Sequence, residues 1–536
     1  SNYEESAIVS FLFLFGAYLE QRTLNQTRSA IKELTEMAPE SALKQMEDGE
    51  FEEVEVDEVD VGDILLVKTG AKVPVDGTVL TGEGHINEAS ITGESVPVSK
   101  KAGSQVYAGT ILENGTIQIV ADRVGEDTTF GKIIELVEEA QDSKSETERF
   151  IDRFSKYYTP AVLVFAFIVW LFSRDIELAI TILVLGCPGA LVIGVPVSSV
   201  AGIGNGARNG ILLKGSEVIH DFSKVDAVVF DKTGTLTIGN PKVADIEYYS
   251  DNQDEVLGYL ASVESESDHP LAKAIVEHIG NIKLYTVENT DVVKGGGIVA
   301  NVEGRRVAVG NVALMEQENV HLNEKVREDI ARFEQKGNSL VLTAVDGELK
   351  VLMGIRDQIR PGVKEVLQKL KKLGVKSLIV LSGDNQGTVD LVARELGLTE
   401  AHGHMLPEDK SAYIEKLQAK GQIVAFVGDG VNDSPSLALS DIGIAMGGGT
   451  DVAIETSDVV LMNSDISRLP HALGLTKATA NNMLQNIVIA VGVVVVLLAS
   501  LFLSEWMNMS IGMLAHEASI LVVILNGMRL LGYKLR

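Results

Sequence analysis

The sequence predicts a multidomain membrane protein: an α-helical transmembrane bundle carrying a β-rich unit and a parallel α/β unit that is interrupted by an inserted α+β subdomain. Three observations predict it. The chain is 46% hydrophobic yet has 46 Lys and Arg against 75 Asp and Glu, a formal charge of -29, so apolar and acidic stretches must be segregated along its 536 residues. Apolar runs long enough to cross a bilayer recur toward both ends, with long polar stretches between them. In the longest polar stretch, short Val/Ile/Leu runs alternate with helical patterns and end in Gly/Asp turns, as in a doubly wound sheet. At about 150 residues per domain, the length excludes a single small module. So acidic a chain repels nucleic acid. Its one cysteine permits neither an internal disulfide nor a CxxC metal finger, and is compatible with a reducing compartment.

In chain order, residues 1–30 read as a transmembrane helix and its cytoplasmic extension. The apolar run 7–19 is short, so length alone leaves it between a span and a buried core helix. The chain starts at Ser1 with no start methionine or signal-peptide n-region, which reads as an N-terminally truncated bundle. Residues 31–140 form the β-rich unit, with apolar runs at 63–67, 77–80 and 116–120 broken by Gly, Pro and Asp. Residues 141–214 hold two membrane helices, on the charge-free runs 157–173 and 178–203. Residues 215–240 and 355–475 form the two parts of the α/β unit, and 241–354 the insertion, with a helix at 270–278 and strands across 297–309. Residues 476–536 hold two more membrane helices, on runs 481–504 and 507–528, the second carrying Glu517 as its formal charge. Arg22, Arg28, Lys32, Arg149, Arg153, Lys156, Arg208 and Lys214 flank the spans on the side of the long polar segments, against Arg174 alone in the loop between the second and third runs. The positive-inside rule therefore puts those segments and Arg536 in the cytoplasm.

Three strands of the α/β unit end in carboxylate-bearing turns: Asp231-Lys232-Thr233-Gly234-Thr235, Ser382-Gly383-Asp384-Asn385, and Gly428-Asp429-Gly430-Val431-Asn432-Asp433. Ligands of open parallel sheets bind beyond the carboxyl ends of the strands, so these distant loops converge on one site. Mg2+ takes one or two carboxylates plus phosphate oxygens, which suits Asp429 and Asp433 on one turn. Asp231 is then free to attack a γ-phosphoryl group and form an acyl phosphate. Lys410 supplies a point charge, and the Ser382 hydroxyl and Gly383 amide supply hydrogen-bond donors. Turn-capping aspartates would explain any one of these loops, but not all three together.

These motifs resemble a known family. Asp231 to Thr235 followed by Leu236-Thr237, Gly428 to Asp433, and Thr92-Gly93-Glu94-Ser95 are similar to the signatures of P-type cation-transporting ATPases, over essentially the whole chain. The resemblance implies that Asp231 is phosphorylated from ATP on a haloacid-dehalogenase-like phosphorylation domain. It also implies that Thr233, Asp429 and Asp433, with Asp231, surround Mg2+, and that Lys410 contacts the phosphoryl group. Glu94 positions the water that hydrolyses the acyl phosphate. Gly62-Asp63, Pro74 and Asp76-Gly77 are similar to the family's β-rich actuator domain, and Asp357, Arg360 and Pro361 to its hinge. Ser267-Asp268-His269-Pro270 resembles the His-Pro locus of the heavy-metal, type IB branch, which implies that His269, Pro270, Gly295, Gly297 and Gly310 hold ATP in an inserted nucleotide-binding domain. By themselves Pro270 is also a first-turn proline and His269 also a structural histidine. His402 and His404 read as loop residues.

Cys187-Pro188-Gly189 interrupts the longest apolar run. A proline there removes a backbone hydrogen bond and frees carbonyls that neighbours, water or an ion must satisfy. A membrane cysteine is often only a small hydrophobe. The heavy-metal branch, however, has a Cys-Pro-x motif in this helix, which implies that Cys187 binds the transported ion. Gly189 stands where the common form has a second cysteine, so one thiolate is available and other ligands must complete the site. His516 and Glu517 lie within the last apolar run, where ionisable groups are costly, and with Ala518-Ser519 they are similar to a His-Glu-Gly motif of the branch. Met509 and Met513 share a helical face with Glu517 and read as packing. A thiolate, imidazole and carboxylate suit borderline divalent ions such as Zn2+, Cd2+, Co2+, Fe2+ or Ni2+ without choosing among them.

The expected function is ATP-driven export of a divalent transition-metal cation across a cell membrane, by a multi-pass protein with cytoplasmic soluble domains. Its ligands are ATP, Mg2+ and the transported ion, and its surroundings a lipid bilayer. A membrane-anchored haloacid-dehalogenase-type phosphatase would need neither the Glu94 loop nor the kinked Cys187 helix. A metal-sensing receptor would not need Asp231, Lys410, Asp429 and Asp433 together. A potassium- or proton-type pump is disfavoured by Cys187 and His269.

Overall fold

The structure, a computed structural model, describes residues 39–88, 97–131, 146–186, 188–267, 270–293, 295–428, 433–446, 457–462, 465–503 and 509–535, with residues 7, 11, 14, 18 and 135. The chain divides into two compact units: one comprises Ser1–Lys224 with Ile444–Arg536, the other Val225–Gly443.

The first unit opens with an antiparallel sheet in which Phe51–Glu55, Ser41–Gln45, Ile64–Val67, Ile111–Arg123, Asp76–Asn87 and Val98–Lys100 lie side by side, with Gln105–Val106 also on Asp76–Asn87. Alternate Val, Leu and Ile side chains from Val59 to Ala121 form its core. Asp76 ties the long strand to the segment beyond it. Its buried carboxylate accepts from the Ala108 amide at 2.9 Å and the Thr129 amide at 2.7 Å, and pairs with Arg123 at 3.1 Å.

Four helical stretches among the described residues are long and apolar enough to cross a membrane: Glu148–Ser173, Ile176–Arg208, Arg468–Leu503 and Met509–Gly532. Ala7, Phe11, Leu14 and Tyr18, from the first apolar run, are helical and exposed; the rest of that run lies outside the described residues. The second stretch is two helices, Ile176–Leu185 and Gly189–Arg208, with Gly186 closing the first and Pro188 opening the second. Pro188 has no N–H for the Val184 carbonyl, and Pro196, inside the second helix, has none for Val192. What the sequence suggested as a kink is therefore a complete break.

Below the break a polar cluster joins three helices. Asn486 donates to the Gly194 carbonyl (2.8 Å), Ser198 Oγ (3.0 Å) and the Val523 carbonyl (3.1 Å), and accepts from Asn526 at 2.9 Å. Ser198 donates to Asn482 at 2.7 Å, and Asn482 to the Asn526 carbonyl at 2.8 Å. In an apolar surrounding each buried amide needs such partners.

In the second unit the strands Glu400–His402, Ser377–Leu381, Ala227–Asp231 and Val424–Gly428 lie parallel in that order, the last three of them apolar runs buried on both faces at their centres and the first a short polar edge. The insertion is a six-stranded antiparallel sheet from Lys242–Tyr248 to Glu348–Arg356. Helices Gln253–Glu264 and Pro270–Ile279 pack on one face, and Val312–Gln317 and Glu324–Gln335 on the other. The architecture is the multidomain one expected, with a β-rich unit, apolar helices and an interrupted α/β unit.

Candidate active site and membrane site

Strand register builds the soluble site. Asp231 is the last residue of its strand, opposite Leu381 on one neighbour, while Val427 on the other is opposite Phe230. The turns that follow Leu381 and Val427 therefore emerge beside Asp231. Lys410, on the helix Pro407–Ala419, reaches Asp231 Oδ1 at 3.2 Å and Asp433 Oδ1 at 3.8 Å. Lys232 is buried and paired with Asp384 at 2.6 Å, which links the first turn to the second. Ser382 is buried one residue beyond Leu381, its Oγ accepting from the Asp384 amide at 3.1 Å. Burial, and then the facing carboxyl of Asp433, push the Asp231 carboxyl well above the ordinary carboxylate range, and Lys410 opposes them.

The turn after Asp231 is held from outside. Gly234 takes a φ of 79°, and Arg360 clamps the loop through Nη2 to the Gly234 carbonyl and Nε to the Thr237 carbonyl, both at 3.0 Å. Asp357 accepts from the amides of Gly239 at 2.9 Å and Asn240 at 3.2 Å, fixing the two crossings into the insertion together. Thr233 sits exposed at the turn. Asp433 Oδ2 is buried with no hydrogen-bond partner among the described residues, and Gly428 makes room for it: a Cβ there would lie 2.8 Å from that oxygen. Two facing carboxyls, one with an orphan oxygen, are a hard-oxygen set that fits Mg2+. Asp429 and Glu94 lie outside the described residues.

A cavity of about 650 Å³ runs from the insertion to the Ser382 turn. Gly295, Gly297 and Gly310 line it, as do Glu264, Asn311, Glu334, Ser339, Gly383, Asp384, Asn385 and His404. Gly297 and Gly310 are cross-strand partners; Gly297, at φ +145°, lies against the Val309 carbonyl, where a side chain would collide. Asn311 holds the Gly295 carbonyl at 2.7 Å and caps the next helix. Pro270 is the first residue of its helix, while His269 lies outside the described residues. The volume and the bare glycine wall suit a nucleotide.

In the membrane helices, Cys187 lies outside the described residues, but both flanks of the break are placed. A Cβ built on Gly189 would stand 3.4 Å from His516 Nε2 and 3.2 Å from Ile520 Cδ1. The glycine of Cys-Pro-Gly thus seats the buried imidazole of His516 against the break. Glu517 follows on the same helix, half-buried.

Residues 36–138 match the model of the P-type ATPase actuator domain, and residues 225–441 that of haloacid dehalogenase-like hydrolases. The chain is 37% identical to a probable cadmium-transporting ATPase of Staphylococcus aureus (strain MRSA252), over 99% of this chain and 75% of the relative. It is 40% identical to a copper-exporting P-type ATPase of S. aureus (strain Newman), over 91% of this chain and 62% of that one. The chain belongs to the heavy-metal, type IB branch of the P-type ATPases. A crystal structure of a zinc-transporting PIB-type ATPase in an E2.Pi state is 34% identical and superposes with a TM-score of 0.57, covering 98% of this chain and 87% of that one. This ATPase is accordingly a membrane protein that uses ATP and Mg2+ to export a heavy-metal ion, with its soluble domains in the cytoplasm.

Sequence reasoning passed over several pocket residues of the ATPase. Glu264 is buried, and burial raises its carboxyl to about 7. The signal was available: it ends a helix whose preceding residues, Leu257 to Val263, are all uncharged. His404 is a loop residue, as the sequence suggests, but on the cavity wall. His402 instead pairs with Glu400 at 3.2 Å on the sheet edge.

Proposed function

We propose that this pump exports a divalent ion of the zinc and cadmium class, and that Cys187, His516 and Glu517 hold it in the membrane. The close seating of His516 against Gly189 carries this reading. Where the common motif offers a second thiolate, this chain offers an imidazole, and a mixed S, N, O donor set favours borderline divalent ions over Cu(I). The relatives named as cadmium-transporting and zinc-transporting agree with it.

On the cytoplasmic side, ATP lies in the cavity with its purine toward Glu264, Gly295, Gly297 and Gly310, and its phosphates toward Gly383 and Asp384. His269 and Pro270, by membership of the branch, also contribute to holding ATP. A carboxylate oxygen of Asp231 forms a bond to the γ-phosphorus as the bond to the β–γ bridging oxygen breaks and ADP leaves. Lys410, Ser382 and Gly383 face the oxygens that carry the developing charge, and Lys232 anchors Asp384. Asp231, Thr233, Asp429 and Asp433 would hold Mg2+, which neutralises phosphate charge when bound. Glu94 then orients the water that attacks phosphorus and releases phosphate, returning the Asp231 carboxylate.

The test is ATP hydrolysis by the purified chain over a panel of divalent metals and Cu(I). Stimulation by Zn2+ or Cd2+ that disappears in Cys187→Ala and in His516→Ala is expected. Stimulation by Cu(I) alone, or stimulation that survives both substitutions, overturns the site.

A further inference from the structure

We propose that His404 is a phosphate-contacting residue of the nucleotide cavity, an assignment that rests on the ATP reading above and extends it. The described residues lining the cavity include Glu264, Glu334 and Asp384 but no lysine or arginine. Lys232 already answers Asp384 at 2.6 Å, so Glu264 and Glu334 are the carboxyls whose repulsion a donor on the wall would offset for an ATP tail. Delivery of the γ-phosphoryl group to Asp231 requires the tail to run from the glycine wall to the Gly383-Asp384 turn, and His404 lines the cavity beside that turn. An imidazole donates an N–H in either protonation state and is a cation when protonated, so it suits a phosphate oxygen.

The backbone that carries the ring is fixed, although the His404 side chain itself is exposed. The His404 amide donates to the Asp384 carbonyl at 2.7 Å, and the Gly403 amide to Gln386 Oε1 at 2.7 Å. A side chain at Gly403 would run into the same turn, 2.7 Å from the Asp384 carbonyl oxygen. The loop carrying His404 is thus fastened to the turn carrying Ser382 and Asp384, which lies next to the nucleophile's strand. His404 also adopts a left-handed φ of 54°, which projects it from a tight turn. Glu334 lines the same cavity and interacts electrostatically with His404.

The experiment measures binding of AMP, ADP and ATP to the purified full chain by competition with a fluorescent nucleotide, without transported metal. His404→Asn preserves the left-handed turn and removes the imidazole; His404→Lys supplies an N–H donor in its place. We expect His404→Asn to weaken ADP and ATP about tenfold while leaving AMP unchanged, and His404→Lys to recover most of the loss. Equal weakening of AMP and ATP would mean that the residue only shapes the turn, and no change in any nucleotide would mean that it answers Glu334 alone; either overturns the proposal. Gly297→Val blocks the cavity: if ATP still binds that variant normally, the nucleotide reading itself has failed, independently of His404. Phosphorylation of Asp231 by inorganic phosphate reverses the hydrolytic step without using the cavity, so it reports that each variant is folded.

Discussion

Asp231 and Glu264 are both carboxyls withdrawn from water, and their surroundings suit them to different work. Asp231 has Lys410 at 3.2 Å and a facing carboxyl, so its charge is held by a cation and a prospective metal. Asp231→Asn should abolish acid-stable phosphoenzyme from labelled ATP. Lys410→Met should keep the intermediate but slow its formation about 10²- to 10³-fold, as loss of one charge-stabilising donor does; an unchanged single-turnover rate would remove Lys410 from the reaction. Glu264 has burial and, among the described residues, no compensating cation, and its carboxyl rises to about 7 from 4.5. The sign follows from linkage: between about pH 4.5 and 7 the unfolded chain ionises this group before the folded one does. Its contribution to stability is therefore complete below about 4.5 and is lost as pH rises through about 7, a change of roughly 3 kcal/mol. Glu264→Gln should flatten that part of the calorimetric stability profile and raise stability at pH 8; a parallel profile would show that Glu264 is solvated. Asp231 was legible because its turn combines a nucleophile, a glycine and two threonines at a strand end. Glu264 left a fainter signal, the uncharged run Leu257 to Val263 before it, because a single acid at a helix terminus otherwise looks like any solvated end.

At the scale of the element, the membrane helices show how a sequence break becomes a geometry. Pro188 announced an interruption, but not that the imidazole of another helix would fill the space beside Gly189; register between helices is not written in hydropathy. Gly189→Cys inserts a side chain where His516 and Ile520 already stand, so it should lower metal-stimulated hydrolysis at least tenfold without increasing activation by Cu(I). Recovery of full activity would show that the ring has room to retreat. Ser198, Asn482, Asn486 and Asn526 were likewise invisible as a group, because each is an ordinary polar residue in an apolar run. Asn486→Leu deletes the amide's two donated protons, shared among three acceptors, and the bond it accepts from Asn526, each bond worth roughly 0.6 kcal/mol on average in a membrane. The helices should lose about 1–2 kcal/mol in detergent unfolding, with the affinity for ATP unaffected.

For the whole molecule, the multidomain architecture of apolar helices, β-rich unit and parallel α/β unit was legible from period and composition, because parallel strands and apolar helices each leave long unbroken signals; the order of the strands within a sheet was not. The meeting of loops some 150 residues apart at Asp231 could be inferred only from the rule that ligands bind at strand ends. One coupling prediction belongs here: Glu94→Gln should accumulate phosphoenzyme during turnover, its decay slowed by at least tenfold; decay at the normal rate would place the hydrolytic water elsewhere. The paired entry and exit of the insertion have a further outcome. Lys242 and Arg356 are register partners, and Asp357 binds the amides of Gly239 and Asn240, so the chain leaves and re-enters the parallel sheet at a single point. The segment between is topologically a long hairpin tip. Excising it and bridging the stump with a two-residue turn should leave a miniature domain that still folds and still accepts a phosphate mimic, a detachable cartridge in which nucleotide choice could be rewritten by grafting.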